Sequence, residues 1–598
     1  MLHFFVCAII KVTLYERKKT MKSLLKYLKK YKKESILAPL FKMLEASFEL
    51  LVPLVMASII DVGIAGSDTG YVIWMCGIMI ALGIIGLVCS VTAQYFAAKA
   101  ATGFATELRY VLFGHIQKFG YTEMDHLGTS TLVTRMTSDL NQIQTGVNLV
   151  LRLFMRSPFI VFGAMIMAFT VDTTAALVFV VAIPLLSVIV FGIMLVTMPL
   201  YKKVQSYLDK VLLVTRENLT GVRVIRAFHK EESEQKQFED TNELLTNAQK
   251  FVGKISALLN PLTYIIVNAA IMALIYIGAI RVNIGLLTQG QVVALVNYMS
   301  QILIELVKLA NLLISTTKAI ACGNRVASVL AVENSMENGS TIWEEQTEEP
   351  MVEFEQVSLA YKDAGEEALS DITFSVKKGE TIGIIGGTGS GKTSLINLIP
   401  RFYDATEGKV RIAGRDILDY EVENLRKHIG IVPQKAVLFK GTIEENLRWG
   451  NPDATKEDLE EALEISQSRE FVEAKEDKWR FRIEQGGKNL SGGQRQRLTI
   501  ARALVRQPEI LILDDSVSAL DFATDAKLRH ALREMKKKPT LFIVSQRASS
   551  LLQADKILVL DDGKLVGCGR HEKLLKSCDI YQEIYYSQFP KEDEKDGK

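Results

Sequence analysis

Eight consecutive residues, Gly386-Gly387-Thr388-Gly389-Ser390-Gly391-Lys392-Thr393, have the types and spacing to grip a chain of phosphates. Glycines let the backbone wrap closely enough for its N–H groups to face phosphate oxygens. Lys392 is placed to reach β/γ-phosphates, and the Thr393 hydroxyl is a ligand for Mg²⁺. A carboxylate suited to the same ion stands at Asp514, where the apolar run Glu509–Leu513 ends. A second loop, Leu490-Ser491-Gly492-Gly493-Gln494, offers another hydroxyl and bare glycine N–H groups at a helix start. One nucleotide needs only one cradle, so this second one is expected to face a nucleotide on another subunit.

These residues need a strand–turn–helix to hold them. The apolar strand Thr381–Ile385 precedes the first loop and a helical run Ser394–Arg401 follows it, while Arg495–Val505 reads as the helix after the second. Together these features describe an α/β P-loop nucleotide-binding domain with a helical subdomain, expected over residues 351–588. A linker rich in Glu, Asn and Ser is placed within residues 321–350, and a charged, unstructured tail over 589–598.

The first half of the chain has a different character. Apolar stretches long enough to cross a bilayer occur near 36–60, 71–94, 147–171, 174–200, 255–281 and 288–314. They predict an all-α six-helix transmembrane domain over residues 21–320. Six lysines between Lys22 and Lys33 precede the first span and are expected to stay cytosolic. The connections Gly63–Gly70, Val171–Thr173 and Val282–Thr288 are short and carry no Lys or Arg, which suits the outer side. An even number of crossings returns the chain to the cytosol, where the nucleotide-binding half must lie. The connections 96–146 and 202–254 are long and helical in pattern, with polar breaks expected at Tyr121–Ser130 and Glu217–Gly221. They predict long cytosolic extensions of the spans. Residues 1–20 read as an N-terminal extension, with Met21 as an alternative start.

In this context the chain resembles the ATP-binding cassette (ABC) exporter family, as a half-transporter with its membrane domain ahead of its nucleotide-binding domain. The match runs from Met21 to about Gln588. The resemblance implies ATP and Mg²⁺ as cofactors. ATP contacts fall at Gly386 to Thr393 (the Walker A loop) and Ser394, with Tyr361 stacking on adenine and Gln434 reaching Mg²⁺ beside Thr393 and Asp514. It implies contacts in trans to a partner's ATP from Ser491, Gly492, Gly493, Gln494 and Asp521, the last in a D-loop Ser518-Ala519-Leu520-Asp521.

Two positions depart from the family pattern. Where the family has a glutamate that polarises the attacking water, this chain has Asp515, and where it has a switch histidine, Gln546. An aspartate carboxylate is retracted by roughly 1–1.5 Å, a misplacement that can cost about 10²-fold in rate. A glutamine amide donates a hydrogen bond but carries neither charge nor proton. Both departures concern hydrolysis and neither concerns binding, while the signature Leu490–Gln494 is intact. The chain therefore resembles the degenerate-site subunit of bacterial heterodimeric multidrug exporters. The implied partner is a second half-transporter whose hydrolytic site this chain's signature completes. A slow homodimer is the alternative, as is export of lipid or peptide, or an ATP-gated regulator that transports nothing. The implied cargo is hydrophobic or amphipathic, and the implied place is the plasma membrane.

Ionisable residues inside the spans have two readings. Glu45 and Glu49 lie one helical turn apart in the first, and Arg152 and Arg156 share that spacing at the start of the third. They pair or snorkel at the inner leaflet, or they form a cation-recognising or gating site. Net charge is +2, which gives no field for nucleic acid. The six cysteines and seven histidines are dispersed, without metal or redox spacing.

Overall fold

The computed structural model describes residues 18–344, 349–362, 364–516 and 519–589. The expected extension over 1–20 falls, but for its last three residues, outside that set, as do Ser518 and the tail from 590. Contacts divide the chain into two compact units, one of Met1–Gln117 with Ser130–Val332, the other of Lys118–Thr129 with Glu333–Lys598.

The first unit is helical. Among the described residues six helices are long and apolar enough to cross a membrane: Ser23–Ile64, Thr69–Ile116, Thr129–Val171, Thr173–Ala227, Glu231–Asn283 and Gln289–Leu330. The second runs 48 residues and the fourth 55, about 72 Å and 82 Å at 1.5 Å per residue, against a hydrocarbon core of about 30 Å. The surplus length makes the expected extensions. Small residues let the helices approach closely. Ala93, Ala97, Ala100, Ala101 and Ala105 are buried along one helix, and a Cβ at Gly146 would lie 2.2 Å from that of Ala319.

Carboxylates tie the three short connections at one end. Asp61 accepts from the Thr288 hydroxyl at 2.5 Å and the Gly290 N–H at 2.7 Å. Asp172 caps the fourth helix through the Ala175 N–H and pairs with Arg281 at 2.6 Å. At the opposite end one expectation needs correction. The fourth helix runs unbroken through Glu217–Gly221, and the turn falls at Phe228–Lys230, with His229 at φ 50°. A single glycine without proline costs a helix only about 1 kcal/mol, too little to end it. The last helix also continues to Leu330, so the expected linker start at 321 lies inside it.

The second unit layers two sheets. A six-stranded sheet runs in the order Lys564–Gly569, Lys556–Asp561, Thr381–Gly386, Thr540–Val544, Ile510–Asp514, Ile429–Val432, parallel except at its first pair. A four-stranded antiparallel sheet starts from Leu369–Val376 and Val352–Leu359. The period-two pattern of the strand Ile510–Asp514 decides the packing. Ile510 and Ile512 face a core shared with the antiparallel sheet, including Phe354 and Phe374. Leu511 and Leu513 face a second core with Leu459, Leu463, Leu498 and Ile500 from the helical subdomain. Both faces are buried, so the strand reads as an unbroken apolar run. The segment Lys118–Thr129, with its helix Tyr121–Leu127, belongs to this unit although it lies within the membrane half of the sequence.

Candidate functional site

Three parallel strands end side by side, and their carboxyl ends assemble the site. Val544 pairs in register with Ile384 on one side and Asp514 on the other, so the loop after Gly386, the Asp514–Asp515 pair and the Ser545–Gln546 turn leave the same sheet edge. Ligands of open α/β sheets sit at such an edge.

The loop after Gly386 is a cradle that side chains would fill. Gly389 and Gly391 hold φ of +85° and +90°, and a Cβ on Gly391 would lie 2.7 Å from the Ala368 carbonyl oxygen. Gly387, Thr388 and Gly389 are exposed at the loop's tip and Ser390 is buried beneath it. Lys392 opens the helix Lys392–Leu398 and folds its ammonium back over the loop. It donates to the Gly386 carbonyl at 3.0 Å, the Gly387 carbonyl at 2.5 Å and Ser390 Oγ at 3.3 Å. Burial holds its pKa below the usual lysine value, with Asp515 and Asp514 pulling the other way. These are donors a phosphate can take over.

Beside it Thr393 Oγ1 lies 3.4 Å from both oxygens of the buried Asp514 carboxylate. Burial pushes the Asp514 carboxyl above its usual range, the Thr393 hydroxyl and Lys392 working against that. Gln434 Nε2 approaches Asp515 Oδ2 at 3.4 Å. Hydroxyl, carboxylate and amide oxygen form a hard donor set that fits Mg²⁺. Asp515 itself sits at φ 43°, its N–H bonded to the Val544 carbonyl at 3.0 Å. Burial raises its pKa as well, offset by Gln434, Arg547 and Lys392. Gln546 is exposed, and its carbonyl accepts from Gln588 Nε2 at 2.7 Å.

Tyr361 is drawn into the site by its hydroxyl, which donates to Ser394 Oγ at 2.9 Å, while its ring meets Tyr403 edge-on at 5.1 Å. A cavity of about 690 Å³ opens against these two rings, lined also by Lys362, Asp404, Thr122 and Asp125. Tyr403 donates to Asp125 Oδ2 at 2.6 Å, and burial together with Asp125 pushes its phenol well above the usual range. Tyr121 stacks on Phe402 at 4.4 Å. Neither Tyr403 nor the Tyr121–Asp125 contribution was expected from sequence. Their partners lie some 280 residues apart, and no local pattern marks them.

The second loop caps its own helix. Ser491 is the N-cap of Gly492–Leu504, its hydroxyl accepting from the Gln494 N–H while Gln494 Oε1 accepts from the Ser491 N–H. Ser491 and Gly492 are exposed, whereas Leu490 is buried. Asp521 caps Phe522–Arg533 through the Thr524 N–H and hydroxyl, at 2.9 and 2.8 Å.

Two family models match the chain, "ABC transporter transmembrane region" over residues 35–306 and "ABC transporter" over 369–518. The chain belongs to the ABC transporter family. An uncharacterized ABC transporter ATP-binding protein of Mycobacterium tuberculosis is 36 % identical over 94 % of this chain and 97 % of its own length. A putative multidrug export ATP-binding/permease protein of Bacillus subtilis, YgaD, is 31 % identical over 95 % and 99 %. Among solved structures, a bacterial Atm1-family ABC exporter with ATP bound superposes with a TM-score of 0.78 over 93 % of this chain and 99 % of that one, at 22 % identity. This ABC half-transporter is thus a multi-pass membrane protein, and its nucleotide-binding domain makes it an ATPase coupled to transport.

Proposed function

We propose that this ABC half-transporter is the degenerate-site subunit of a heterodimeric exporter of hydrophobic or amphipathic compounds in the plasma membrane. Its lysine-rich N-terminal segment and nucleotide-binding domain face the cytosol. The observation that carries the reading is an asymmetry. The parts that hold a nucleotide are complete, whereas the two positions that act on water and γ-phosphate are Asp515 and Gln546.

In this reading Tyr361 leaves Ser394 and stacks on adenine. The loop Gly386–Thr393 takes the phosphates, and Lys392 trades the loop carbonyls for phosphate oxygens. Thr393, Asp514 and Gln434 would hold Mg²⁺, which would supply positive charge to offset that of the phosphates. Asp515 holds the catalytic-base position with a shortened reach, and Gln434 Nε2 approaches it at 3.4 Å. Gln546 can donate to a γ-phosphate oxygen but cannot exchange a proton with it. Ser491, Gly492 and Asp521 stand exposed at helix starts, with Gly493 and Gln494 half-buried behind them, available to a nucleotide on the partner. Two bound ATPs close the pair, and hydrolysis at the partner's site reopens it.

The test is nucleotide trapping on the co-purified pair with photoreactive, α-labelled 8-azido-ATP. After several turnovers this chain is expected to carry intact triphosphate while its partner carries diphosphate. Equal conversion on both chains would contradict the division of labour.

A further inference from the structure

Six charged side chains meet inside the membrane-spanning unit, and the site chemistry above uses none of them. Arg156 lies at their centre. It donates from Nη1 to Glu305 Oε1 and from Nη2 to Glu49 Oε2, both at 2.7 Å, and its Nε faces Glu45 at 4.0 Å. Lys308 donates to Glu305 Oε1 at 2.8 Å, Ser157 Oγ to Glu305 Oε2 at 2.8 Å, and Lys42 to Glu45 at 2.5 Å and Ser90 Oγ at 2.9 Å. Helical spacing explains the gathering. Lys42, Glu45 and Glu49 follow at three and four residues on one helix, and Gln301, Glu305 and Lys308 do the same on another.

Two properties set this network apart from a plain structural tie. First, its charges balance, with three carboxylates against three cations. A ligand of net charge would therefore leave an unpaired charge in a low-dielectric surround, whereas a dipolar one would not. Second, its two ends are open. The buried centre, Arg156 and Glu305, has side chains 9 % and 3 % exposed, while Glu49 and Lys308 are 40 % and 43 % exposed. Charges that open are turned away from hydrocarbon, toward water, a facing protein surface or a solute that replaces water. The buried Arg156 Nε and Gln301 Oε1 also lack hydrogen-bond partners, leaving one donor and one acceptor unused beside the network. Exposed apolar side chains adjoin it in sequence, Phe154 and Met155 before Arg156 and Ile304 before Glu305.

We propose that this network is the headgroup site for a zwitterionic amphiphile, whose cation docks on Glu49 and whose anion docks on Lys308. It deepens the export reading by naming a substrate class and rests on it for the amphiphile's route. Binding alone, without transport or ATP turnover, tests it.

The experiment places the full-length protein in nanodiscs of phosphatidylglycerol, which contain no zwitterionic lipid. Fluorescently labelled dodecylphosphocholine is the probe, and unlabelled dodecylphosphocholine, dodecyltrimethylammonium and dodecyl sulfate compete for it. The unaltered protein is expected to prefer the zwitterion by about tenfold or more over either singly charged competitor, the weight of one charge pair. E49Q is expected to shift that preference toward dodecyl sulfate and K308M toward dodecyltrimethylammonium, with E49D and K308R keeping the original order. Both variants spare the buried Arg156–Glu305 pair, and unchanged melting temperatures confirm that they fold. Equal affinity for all three amphiphiles would overturn the proposal. So would variants that weaken assembly with a partner subunit while leaving the order of competitors unchanged. Either failure leaves the export reading intact, because neither measures vectorial movement.

Discussion

Asp515 combines a short side chain with a backbone in the left-handed region at φ 43°, where Asp and Asn are tolerated far better than residues that cannot bond their own backbone. Replacing Asp515 by Ala is therefore expected to destabilise the domain by about 1 kcal/mol more than replacing it by Asn, read as a difference in melting temperature. Tyr361 is the second residue whose setting has consequences. Its hydroxyl donates to Ser394 Oγ, a bond that competes with stacking on adenine. Y361F removes that competing bond and keeps the ring, so ATP affinity is expected to hold or rise slightly, whereas Y361A is expected to lose about 1–3 kcal/mol of base stacking. Fluorescent-nucleotide titration distinguishes the two. A fall in affinity for Y361F as large as for Y361A would mean that the ring does not stack.

At the scale of elements, the helix Tyr121–Leu127 owes its entry to one carboxylate. Glu123 accepts from the Gly120 N–H at 3.0 Å and from the Ser335 N–H at 3.1 Å. E123A removes the shared acceptor of both partly buried donors and is expected to cost about 1 kcal/mol locally. Faster hydrogen exchange across residues 118–129, with the strand Thr381–Gly386 unchanged, would report it. In the membrane unit, R156M strands Glu305 without its main partner and is expected to cost about 3–5 kcal/mol, while R156M/E305M recovers much of that. Thermal unfolding in nanodiscs provides the comparison.

These elements were legible in sequence to different degrees. The phosphate loop was readable because its strand, turn and helix are contiguous, and Gly389 and Gly391 hold φ that favours glycine. The six spans were readable because bilayer thickness sets their length. The charge network was visible as the pairs Glu45–Glu49 and Arg152–Arg156 and as polar residues on the last span, Glu305 and Lys308 among them, without the contacts that join the spans. A break at Phe154–Met155 separates Arg152 from Arg156, and the decisive partner Glu305 lies 149 residues from Arg156. The contact of Tyr403 with Asp125 was hidden for the same reason, since long-range pairing leaves no local pattern. The end of the fourth helix was misplaced because polar, exposed residues at Glu217–Gly221 look like a loop but suit a solvated helix equally well.

For the whole molecule, the two units divide the work of a transporter. One carries six spans and a balanced network of charges, and the other carries the glycine-rich loop at a sheet edge with the capped helix start at Ser491 on its helical subdomain. The central claim is that this chain binds ATP well and hydrolyses it poorly. Phosphate release by the chain purified without a companion half-transporter, in nanodiscs at saturating MgATP, tests it most directly. The account expects a rate roughly one-hundredth or less of that of the same chain carrying D515E and Q546H, with nucleotide binding equal in the two. Equal rates of phosphate release from the unaltered and the doubly substituted chain would contradict it.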